Sequence, residues 1–445
     1  MTKSKKRVLI LGAGLVSRPM VRYLLELPDV ETVVATRTVS KAQDLIAGHP
    51  NGKAVPLLVD NEPELHRLVA DADVVVSLLP YTYHATVARH CLDLKKHLVT
   101  TSYVGDAMRQ FSEPAAKSGL LFLNEIGLDP GIDHMSAMVI IDRVRDAGGK
   151  VVSFVSSCGG LPAPDANDNP LGYKFSWSPK GVLMAGRNDA RFLKDGKEVF
   201  IPSSRLFSSY WKARVEGLGE LEAYPNRNSL PYIELYGLQG IKTMLRATFR
   251  NTGWCETMQA LVNLGLLKDD REWSDLKRMT YGQWLREFVP EEGDLRQDVA
   301  KRLGLSIDSP VIQRLGWLGL FSDECIGLER GSSLDILAKA MLERMSYKPG
   351  ERDMIVLQHQ FEVVYPDNRG EFIESTLIDF GQPNGDSAMA RTVSLPAAIA
   401  VKMIIEGQLQ LTGVKIPVVP EIYQPVLTEL EKLGIKFQER VRKIS

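Results

Sequence analysis

Residues 8–17, which read VLILGAGLVS, decide the fold of this chain. The apolar run is typical of a buried strand, and the glycines after it open an amphipathic segment. Gly12 permits a tight turn, and Gly14 lets the backbone approach a pyrophosphate bound at the N-terminus of the next helix. Ser17 replaces the third glycine of the dinucleotide fingerprint but is small enough for close packing of helix and strand. We therefore predict a strand, a turn and a helix that bind a dinucleotide through Gly12, Gly14, Leu15, Val16 and Ser17.

Six apolar runs between residues 7 and 140 extend this pattern. They read RVLIL, ETVVAT, KAVPLLV, DVVVSLL, HLVTT and GLLFLN, and amphipathic stretches separate them. Buried strands that alternate with helices predict a Rossmann-type, doubly wound parallel sheet in an α/β domain.

A second domain is predicted because the pattern changes after Lys150. KVVSFVSSC reads as a strand, and residues 159–172 are rich in Gly, Pro, Asn and Asp, which predicts a long loop. Apolar residues at helical spacing between residues 256 and 347 predict a helical subdomain. The runs 354–365 and 372–380 flank the turn cluster PDNRG and predict a hairpin. A helix over residues 394–409, opening on Ser-Leu-Pro, is expected to return the chain to the first domain.

The length of 445 residues also predicts several domains, because single cores stop growing near roughly 250–300 residues. We expect a dinucleotide-binding domain over residues 1–125 and 391–445. A mixed α/β substrate and dimerisation domain is expected over 126–255 and 348–390, and a helical domain over 256–347.

The composition favours a small-molecule partner. The 54 Lys and Arg residues balance 55 Asp and Glu residues, so no strong field would attract nucleic acid or anionic lipid. We expect no membrane-spanning segment, because no apolar run approaches the roughly 18 residues that a membrane span needs. The four cysteines and seven histidines show no metal-site or disulfide spacing. We therefore expect a cytoplasmic protein with no metal, no nucleic acid and no membrane partner.

The residues after the second strand favour NADP over NAD. An NAD-binding chain usually has Asp or Glu about 20 residues after the fingerprint, but this chain reads Ala-Thr36-Arg37-Thr there. The Arg37 guanidinium suits a 2′-phosphate, with Thr36 as a further donor, although an ordinary surface arginine would give the same pattern. From topology alone, Asp60 after the third strand is expected near the adenine, and Ser77 and Leu78 near the nicotinamide ribose.

The carboxyl ends of the fifth and sixth strands carry further polar side chains. The fifth strand leads into Thr100-Thr101-Ser102-Tyr103, and the sixth leads into NEIGLDPGIDH, residues 124–134. Open α/β sheets bind ligands at this edge, so hydroxyls and carboxylates are expected beside the nicotinamide.

Several long stretches make the chain resemble the saccharopine reductases, the glutamate-forming saccharopine dehydrogenases of the α-aminoadipate route to lysine. They are GAGLVSRP, SLLPYTYH, TTSYV, NEIGLDPGIDH, CGGLPAPDANDNPLGYKFSWSP, YPNRNS, LRATFRNTGW, WLGLFSD and ERDMIVLQHQF. The likeness covers nearly the whole chain and is strongest to the fungal, monofunctional form. In plants and animals the related unit is fused to a lysine–ketoglutarate reductase portion.

The resemblance implies which residues bind substrate. Saccharopine has three carboxylates and two amines, so Arg227 and Arg246, with Thr248 beside the second, match positions expected to bind carboxylates. Surface or inter-domain ion pairs remain the alternative for both arginines. Asp129 matches a position near the reacting centre, where it would pair with a substrate ammonium or move a proton, or else only organise a turn.

Further positions follow from the same resemblance. Ser102 and Tyr103 would hold a carboxylate or the secondary amine, and Lys174, Phe175 and Ser178 would close over cofactor and substrate. Glu125 or a water molecule is an alternative proton carrier to Asp129. Asp133 and His134 are interpreted as capping the helix that follows.

The reaction implied is reversible hydride transfer between NADPH and a carbon–nitrogen bond, which interconverts saccharopine with L-glutamate and α-aminoadipate semialdehyde. Two alternatives remain: an imine-reducing enzyme of polyamine metabolism, and a catalytically silent NADP-sensing regulator. The strand edges of the second domain favour a homodimer.

Overall fold

The chain forms two compact units in the computed structural model, which describes residues 5–291 and 293–444. Among the described residues, one unit contains residues 5–150 and 385–438, and the other contains residues 151–291, 293–384 and 439–444.

The strands and helices follow one another in chain order. The strands are β1 (Lys6–Leu11), β2 (Val30–Thr36), β3 (Gly52–Pro56), β4 (Val74–Ser77), β5 (His97–Thr100), β6 (Leu121–Leu123), β7 (Lys150–Pro162), β8 (Ala190–Lys194), β9 (Lys197–Ile201), β10 (Trp211–Val215), β11 (Gly219–Pro225), β12 (Thr243–Arg250), β13 (Glu272–Ser274), β14 (Arg330–Ser332), β15 (Asp353–Val364), β16 (Gly370–Phe380), β17 (Gly413–Lys415) and β18 (Gln438–Ile444). The helices are α1 (Arg18–Leu25), α2 (Val39–Ile46), α3 (Glu62–Ala70), α4 (His84–Asp93), α5 (Asp106–Arg109), α6 (Ser112–Lys117), α7 (Ile132–Asp146), α8 (Pro179–Ala185), α9 (Pro231–Leu235), α10 (Trp254–Asn263), α11 (Tyr281–Arg286), α12 (Leu295–Leu303), α13 (Pro310–Trp317), α14 (Ser333–Arg344), α15 (Ala388–Ile405) and α16 (Pro420–Lys432).

The first unit is built on a parallel sheet with the strand order β17-β6-β5-β4-β1-β2-β3. All six predicted strands are present, and the reversal of strand order beside β1 confirms the Rossmann-type, doubly wound fold. The seventh strand, β17, was not predicted. It has only three residues, so no apolar run marks it, and it forms by parallel pairing with β6.

Helix α15 differs from the prediction. The expected start at Ser394 was wrong, because Ser387 caps the helix by accepting a hydrogen bond from the Ala390 amide at 3.0 Å. Pro396 therefore lies inside the helix and not in its first turn. This helix is also long and apolar enough to span a membrane, contrary to the reading of the sequence. However, 78% of its apolar window is buried inside the protein, which is typical of a core helix.

The second unit is built on a mixed sheet with the order β10-β11-β12-β7-β15-β16-β18, and β8 and β9 pair beside β12. The predicted hairpin is confirmed by antiparallel β15 and β16. The predicted loop over 159–172 was wrong at its start, because β7 continues to Pro162. A Cβ atom at Gly159 would lie 2.7 Å from the Phe249 carbonyl oxygen, so this glycine serves close strand packing and not a turn.

The predicted helical segment 256–347 contains α11–α14 and most of α10, and it shares one hydrophobic core with the mixed sheet. Trp254 and Trp284 from the helices lie in the same buried cluster as Phe249 and Val356 from the strands. The helices therefore fall within the second unit. Helix α7 falls within the first unit, so the division lies at residue 150, later than the predicted boundary at 125.

Replacing Ser387 with alanine tests the cap of α15. Loss of this hydrogen bond should cost about 1 kcal/mol of unfolding free energy, which lowers Tm by roughly 2–4 °C for a unit of this size. Thermal melts followed by circular dichroism measure the change. Thr38→Ala is the matched control, because Thr38 precedes α2 but makes no capping hydrogen bond through its side chain. An equal loss in both variants would contradict this account.

Candidate functional site

The turn between β1 and α1 leaves open space for a ligand. Gly12 has φ of +111°, and a Cβ atom there would lie 3.2 Å from the Leu78 carbonyl oxygen, so only glycine fits without strain. A Cβ atom at Gly14 would meet no protein atom within 4 Å. The Ser17 side chain is fully buried, and its Oγ accepts a hydrogen bond from the Gly14 amide at 3.0 Å. Ser17 thus ties the turn together and packs as expected.

The backbone of this turn suits a phosphate. The amides of Leu15 and Val16 donate to no protein acceptor in the described part of the chain, and the Leu15 side chain is 68% exposed. Unpaired amides beside a helix N-terminus favour an anion, since they carry the positive end of the helix dipole. These residues therefore fit the pyrophosphate of a dinucleotide.

The end of β2 fits a 2′-phosphate. Thr36 is the last residue of the strand, and Arg37 lies exposed directly after it. Within the described ranges, Arg37 makes no ion pair or hydrogen bond with another residue, so its guanidinium is available to a ligand. Asp60 is exposed in the turn after β3. The residues present therefore fit NADP, and no acidic residue follows β2 to repel its phosphate.

A buried histidine joins the ends of β4 and β5. Ser77 and Thr100 are paired residues at these strand ends, and His84 is the first residue of α4. The His84 Nδ1 atom lies 2.9 Å from Ser77 Oγ. Its Nε2 atom lies 2.8 Å from Ser102 Oγ and 3.3 Å from Thr100 Oγ1. Three predicted site residues therefore meet around one imidazole ring.

This imidazole is neutral at physiological pH. His84 is only 5% exposed, and burial lowers its pKa to about 4. A low-dielectric environment disfavours the charged imidazolium, and no carboxylate counteracts this effect. A neutral ring donates a hydrogen bond from one nitrogen and accepts at the other, so it can bridge two hydroxyls.

The loop after β5 is tied to the segment after β6. The Tyr103 hydroxyl donates to Asp129 Oδ1 at 2.9 Å, and both side chains are half-buried. The Val104 amide donates to Glu125 Oε1 at 2.9 Å. The structure therefore brings together Tyr103 and Asp129, which were predicted as substrate residues, and leaves both partly open to solvent.

Glu125 and its neighbours form the buried part of the segment after β6. The second oxygen of Glu125 lies 2.9 Å from His134 Nε2. Asp133 lies in the first turn of α7, where its Oδ1 accepts a hydrogen bond from the Gly131 amide at 2.6 Å, but the N-cap residue is Gly131, so neither Asp133 nor His134 occupies the cap position. A Cβ atom at Gly131 would lie 2.1 Å from the Gly127 carbonyl oxygen, so the turn requires glycine there. Glu125 is thus held by two partners and is less open to substrate than Asp129.

The predicted arginines lie together in the second unit. Arg246 is on β12 and is 3% exposed, with its guanidinium 4.5 Å from the centre of the Tyr232 ring. Arg227 is exposed, and its backbone adopts φ of +54° in the loop after β11. The Asn226 amide donates to the Arg246 carbonyl at 2.8 Å, so this loop lies against β12. Thr248 is two residues further along β12, on the same face as Arg246.

Two other predicted residues have structural partners. The Lys174 side chain is 2% exposed, and its amine forms ion pairs with Asp168 at 2.8 Å and Glu351 at 2.7 Å. The hydrogen bond from Lys174, with a further one from Lys348, lowers the pKa of Asp168 to about 2. Ser178 caps α8 by accepting a hydrogen bond from the Gly181 amide at 3.2 Å. In the described residues, no group of three or more His, Cys, Asp or Glu side chains is arranged to hold a metal.

His84 and Arg250 are the polar residues that the sequence reading missed. The only signal for His84 was its place in SLLPYTYH, seven residues after Ser77. Arg250 is 5% exposed, and its guanidinium lies about 5 Å from the ring centres of Tyr173 and Trp254, at 5.0 and 5.3 Å. No sequence pattern marks such a cage, because its members are far apart in the chain.

Comparison with known proteins decides the family. Residues 8–123 match the NADP-binding domain of saccharopine dehydrogenase, and residues 127–435 match its C-terminal domain. This chain belongs to the saccharopine dehydrogenase family. It therefore carries the NADP-binding domain of an NADP-dependent oxidoreductase, and the resemblance inferred from its motifs is confirmed.

Individual relatives are similar over the full length. Saccharopine dehydrogenase (NADP+, L-glutamate-forming) from Saccharomyces cerevisiae is 41% identical over 448 residues, covering 98% of this chain and 99% of the relative. The solved structure of the apo, histidine-tagged saccharopine dehydrogenase (L-Glu forming) from the same yeast is 40% identical and gives a TM-score of 0.88, covering 98% of this chain and 100% of that one. The mitochondrial alpha-aminoadipic semialdehyde synthase of Bos taurus is 39% identical, but the match covers 48% of that longer protein.

Arg37→Ala tests NADP selectivity in this saccharopine dehydrogenase family member. A charged hydrogen bond contributes about 1.5–3 kcal/mol, so the Kd for NADPH should rise roughly 10- to 100-fold. The Kd for NADH should barely change, because NADH lacks the 2′-phosphate. Fluorescence titration measures both constants. Arg67→Ala is the control, since Arg67 is an exposed arginine of the same unit that pairs with Glu64. Equal weakening of NADH and NADPH by Arg37→Ala would refute the assignment.

Proposed function

We propose that this chain interconverts saccharopine with L-glutamate and α-aminoadipate semialdehyde, using NADP, in lysine biosynthesis. The observation that carries the proposal is the full-length similarity to the yeast enzyme, whose name states this cofactor and product. The open turn at Gly14 and the available guanidinium of Arg37 support it independently, because both suit NADP.

In the saccharopine-consuming direction, the proposed reaction is an oxidation followed by a hydrolysis. Saccharopine loses a hydride to NADP+ and a proton from its secondary amine, and the resulting imine takes up water to release glutamate and the semialdehyde. In the reverse direction, glutamate and the semialdehyde condense with loss of water, and NADPH supplies the hydride. The protein must hold both amino-acid parts in place, so orientation supplies much of the rate.

Asp129 is the proposed group for proton movement. Its carboxylate is half-buried and accepts a hydrogen bond from Tyr103, so it is accessible yet held in one orientation. Glu125 is the weaker candidate, because His134 and the Val104 amide already engage its two oxygens. Asp129 would accept or return the proton when the imine forms or hydrolyses, while hydride transfer itself needs no such group.

Arg227 and Arg246 are the proposed carboxylate ligands. A guanidinium binds a carboxylate through two parallel hydrogen bonds, and Arg246 would do so in a buried setting where the interaction is strong. Thr248 would add a neutral donor on the same face of β12. Two arginines argue against a polyamine product, since polyamines have far fewer carboxylates to bind.

A spectrophotometric assay tests the proposed function directly. Purified protein with saccharopine and NADP+ should produce absorbance of NADPH, and glutamate should appear in equal amount. Tight NADP binding with no turnover would instead favour the sensing regulator, and turnover only with polyamine imines would favour the other alternative.

We also propose a cytoplasmic homodimer whose partners are small molecules. All four cysteines are free thiols, which supports a reducing compartment, and subcellular fractionation checks this location. The near-zero net charge and the buried position of α15 support the expected lack of nucleic-acid and membrane partners.

The edges of the second unit suggest where a dimer would form. Strand β18 has exposed, charged residues along its length, which discourages pairing there, whereas the edge strand β10 alternates between exposed and half-buried positions. Light scattering at micromolar concentration should give about twice the 49.5 kDa chain mass. The monomer mass would remove this proposal.

Arg246→Ala tests the substrate side. Leaving a carboxylate without its buried partner should cost about 2–5 kcal/mol, so kcat/KM for saccharopine should fall roughly 30-fold to several thousand-fold. The Kd for NADPH should stay within a few-fold of wild type. Arg246→Lys keeps the charge but not the planar fork, so it should recover only part of the activity.

Arg302→Ala is the matched control for this experiment, since Arg302 is an exposed arginine on α12 of the same unit. Normal saccharopine kinetics with weakened NADPH binding in Arg246→Ala would overturn the assignment to the substrate.

A further inference from the structure

In the described residues, the hydroxyl of Ser102 hydrogen-bonds to the side chain of His84, the buried histidine between β4 and β5. The Nε2 to Oγ distance of 2.8 Å is that of a good hydrogen bond, while Thr100 lies further away at 3.3 Å. Ser102 itself is half-buried, so this residue keeps some exposure to solvent.

The other side of the ring is fixed just as firmly. Ser77 is fully buried, and in the described residues its Oγ contacts only His84 Nδ1, at 2.9 Å. The ring therefore cannot turn about its Cβ–Cγ bond without breaking this contact and leaving a buried hydroxyl unpaired, which is unfavourable. Anchored by Ser77, the imidazole has a defined orientation toward Ser102.

The neutral ring also links the hydroxyl protons of the two serines. If Ser77 donates to Nδ1, then Nε2 carries the proton and donates to Ser102; if Nδ1 donates to Ser77, Nε2 accepts from Ser102. In the second arrangement the Ser102 proton points at the ring, and in the first it points away from the ring, so the His84 tautomer decides whether Ser102 can donate to a ligand. Because burial holds the ring neutral, this link persists across the physiological pH range.

We propose that His84 is a positioning residue for the saccharopine reaction: it fixes the place and proton direction of the Ser102 hydroxyl, which binds substrate. The inference rests on the proposed function, since it takes Ser102 to be a substrate ligand. Among the described residues, the His84 side chain is hydrogen-bonded only to hydroxyl groups of its own unit, so it acts on the substrate through Ser102.

Substitutions that place an amide at the position of one ring nitrogen or the other test this role. The amide of glutamine reaches the position of Nε2, and the shorter asparagine reaches only that of Nδ1. His84→Ala should lower kcat/KM for saccharopine roughly 10- to 100-fold, because a misplaced contact group costs about that much. His84→Gln should recover most of the loss, and His84→Asn should not. The Kd for NADPH should stay within about threefold of wild type in all three, a range that corresponds to under 1 kcal/mol.

A double-mutant cycle with Ser102→Ala separates positioning from a general packing role. If His84 acts through Ser102, adding His84→Ala to Ser102→Ala should cause little further loss of kcat/KM, because the two changes remove one interaction. His90→Gln is the matched control: His90 is a second buried histidine of α4, but it contacts His66 and not the hydroxyl cluster. It should leave the kinetics unchanged.

Three results would overturn the inference. They are fully additive losses in the cycle, equal activity of the asparagine and glutamine variants, and a rise in the NADPH Kd that matches the loss in kcat/KM. Melting curves of the Gln and Asn variants show whether the fold persists, so that the comparison holds even if the alanine variant unfolds. Lack of saccharopine turnover by the wild type would refute the proposed function itself, and is measured first.

Discussion

The parallel pairing of β1 with β2 on one side and β4 on the other is the constraint on which the first unit depends. It brings the Gly12 backbone so close to Leu78 that any side chain there would lie 3.2 Å from the Leu78 carbonyl oxygen. The same register aligns the ends of β1, β2, β4 and β5 along one edge of the sheet. Arg37 and Ser77 therefore reach the edge that carries the dinucleotide turn, although they are distant in the chain.

The polar side chains at and after the ends of β4, β5 and β6 are partnered before any ligand binds. The His84 ring is hydrogen-bonded to the hydroxyls of Ser77 and Ser102, and the Tyr103 hydroxyl is hydrogen-bonded to Asp129. Burying such groups without partners would cost several kcal/mol in total, at about 1–3 kcal/mol each. Preorganised side chains in turn lower the entropic cost of holding a substrate. The same hydrogen bonds therefore allow these side chains to be buried and hold them in place for a substrate.

The sequence was sufficient to predict the parallel sheet and to propose many of the candidate residues, because short-range patterns mark them. Alternating apolar runs, the glycines at 12 and 14, and the absence of an acid near Arg37 are all visible in a few neighbouring residues. Strand β17 and the position of His84 were not predicted, because each depends on partners in other segments of the chain, whereas the start of α15 was missed because the local cap at Ser387 was passed over for Ser-Leu-Pro at residues 394–396. β17 needs β6, Pro396 is tolerated inside a helix that Ser387 begins, and His84 needs Ser77 and Ser102.

The order of segments along the chain has a consequence for synthesis. The first unit is interrupted after residue 150 and resumes at residue 385, so the whole of residues 151–384 leaves the ribosome before α15 and β17 do. Until then the β6 edge of the parallel sheet has no neighbour to pair with, and the buried face of α1 that contacts α15 is uncovered. Exposed strand edges and apolar faces are where nascent chains aggregate, so the interval places a demand on chaperones that a contiguous Rossmann domain would avoid.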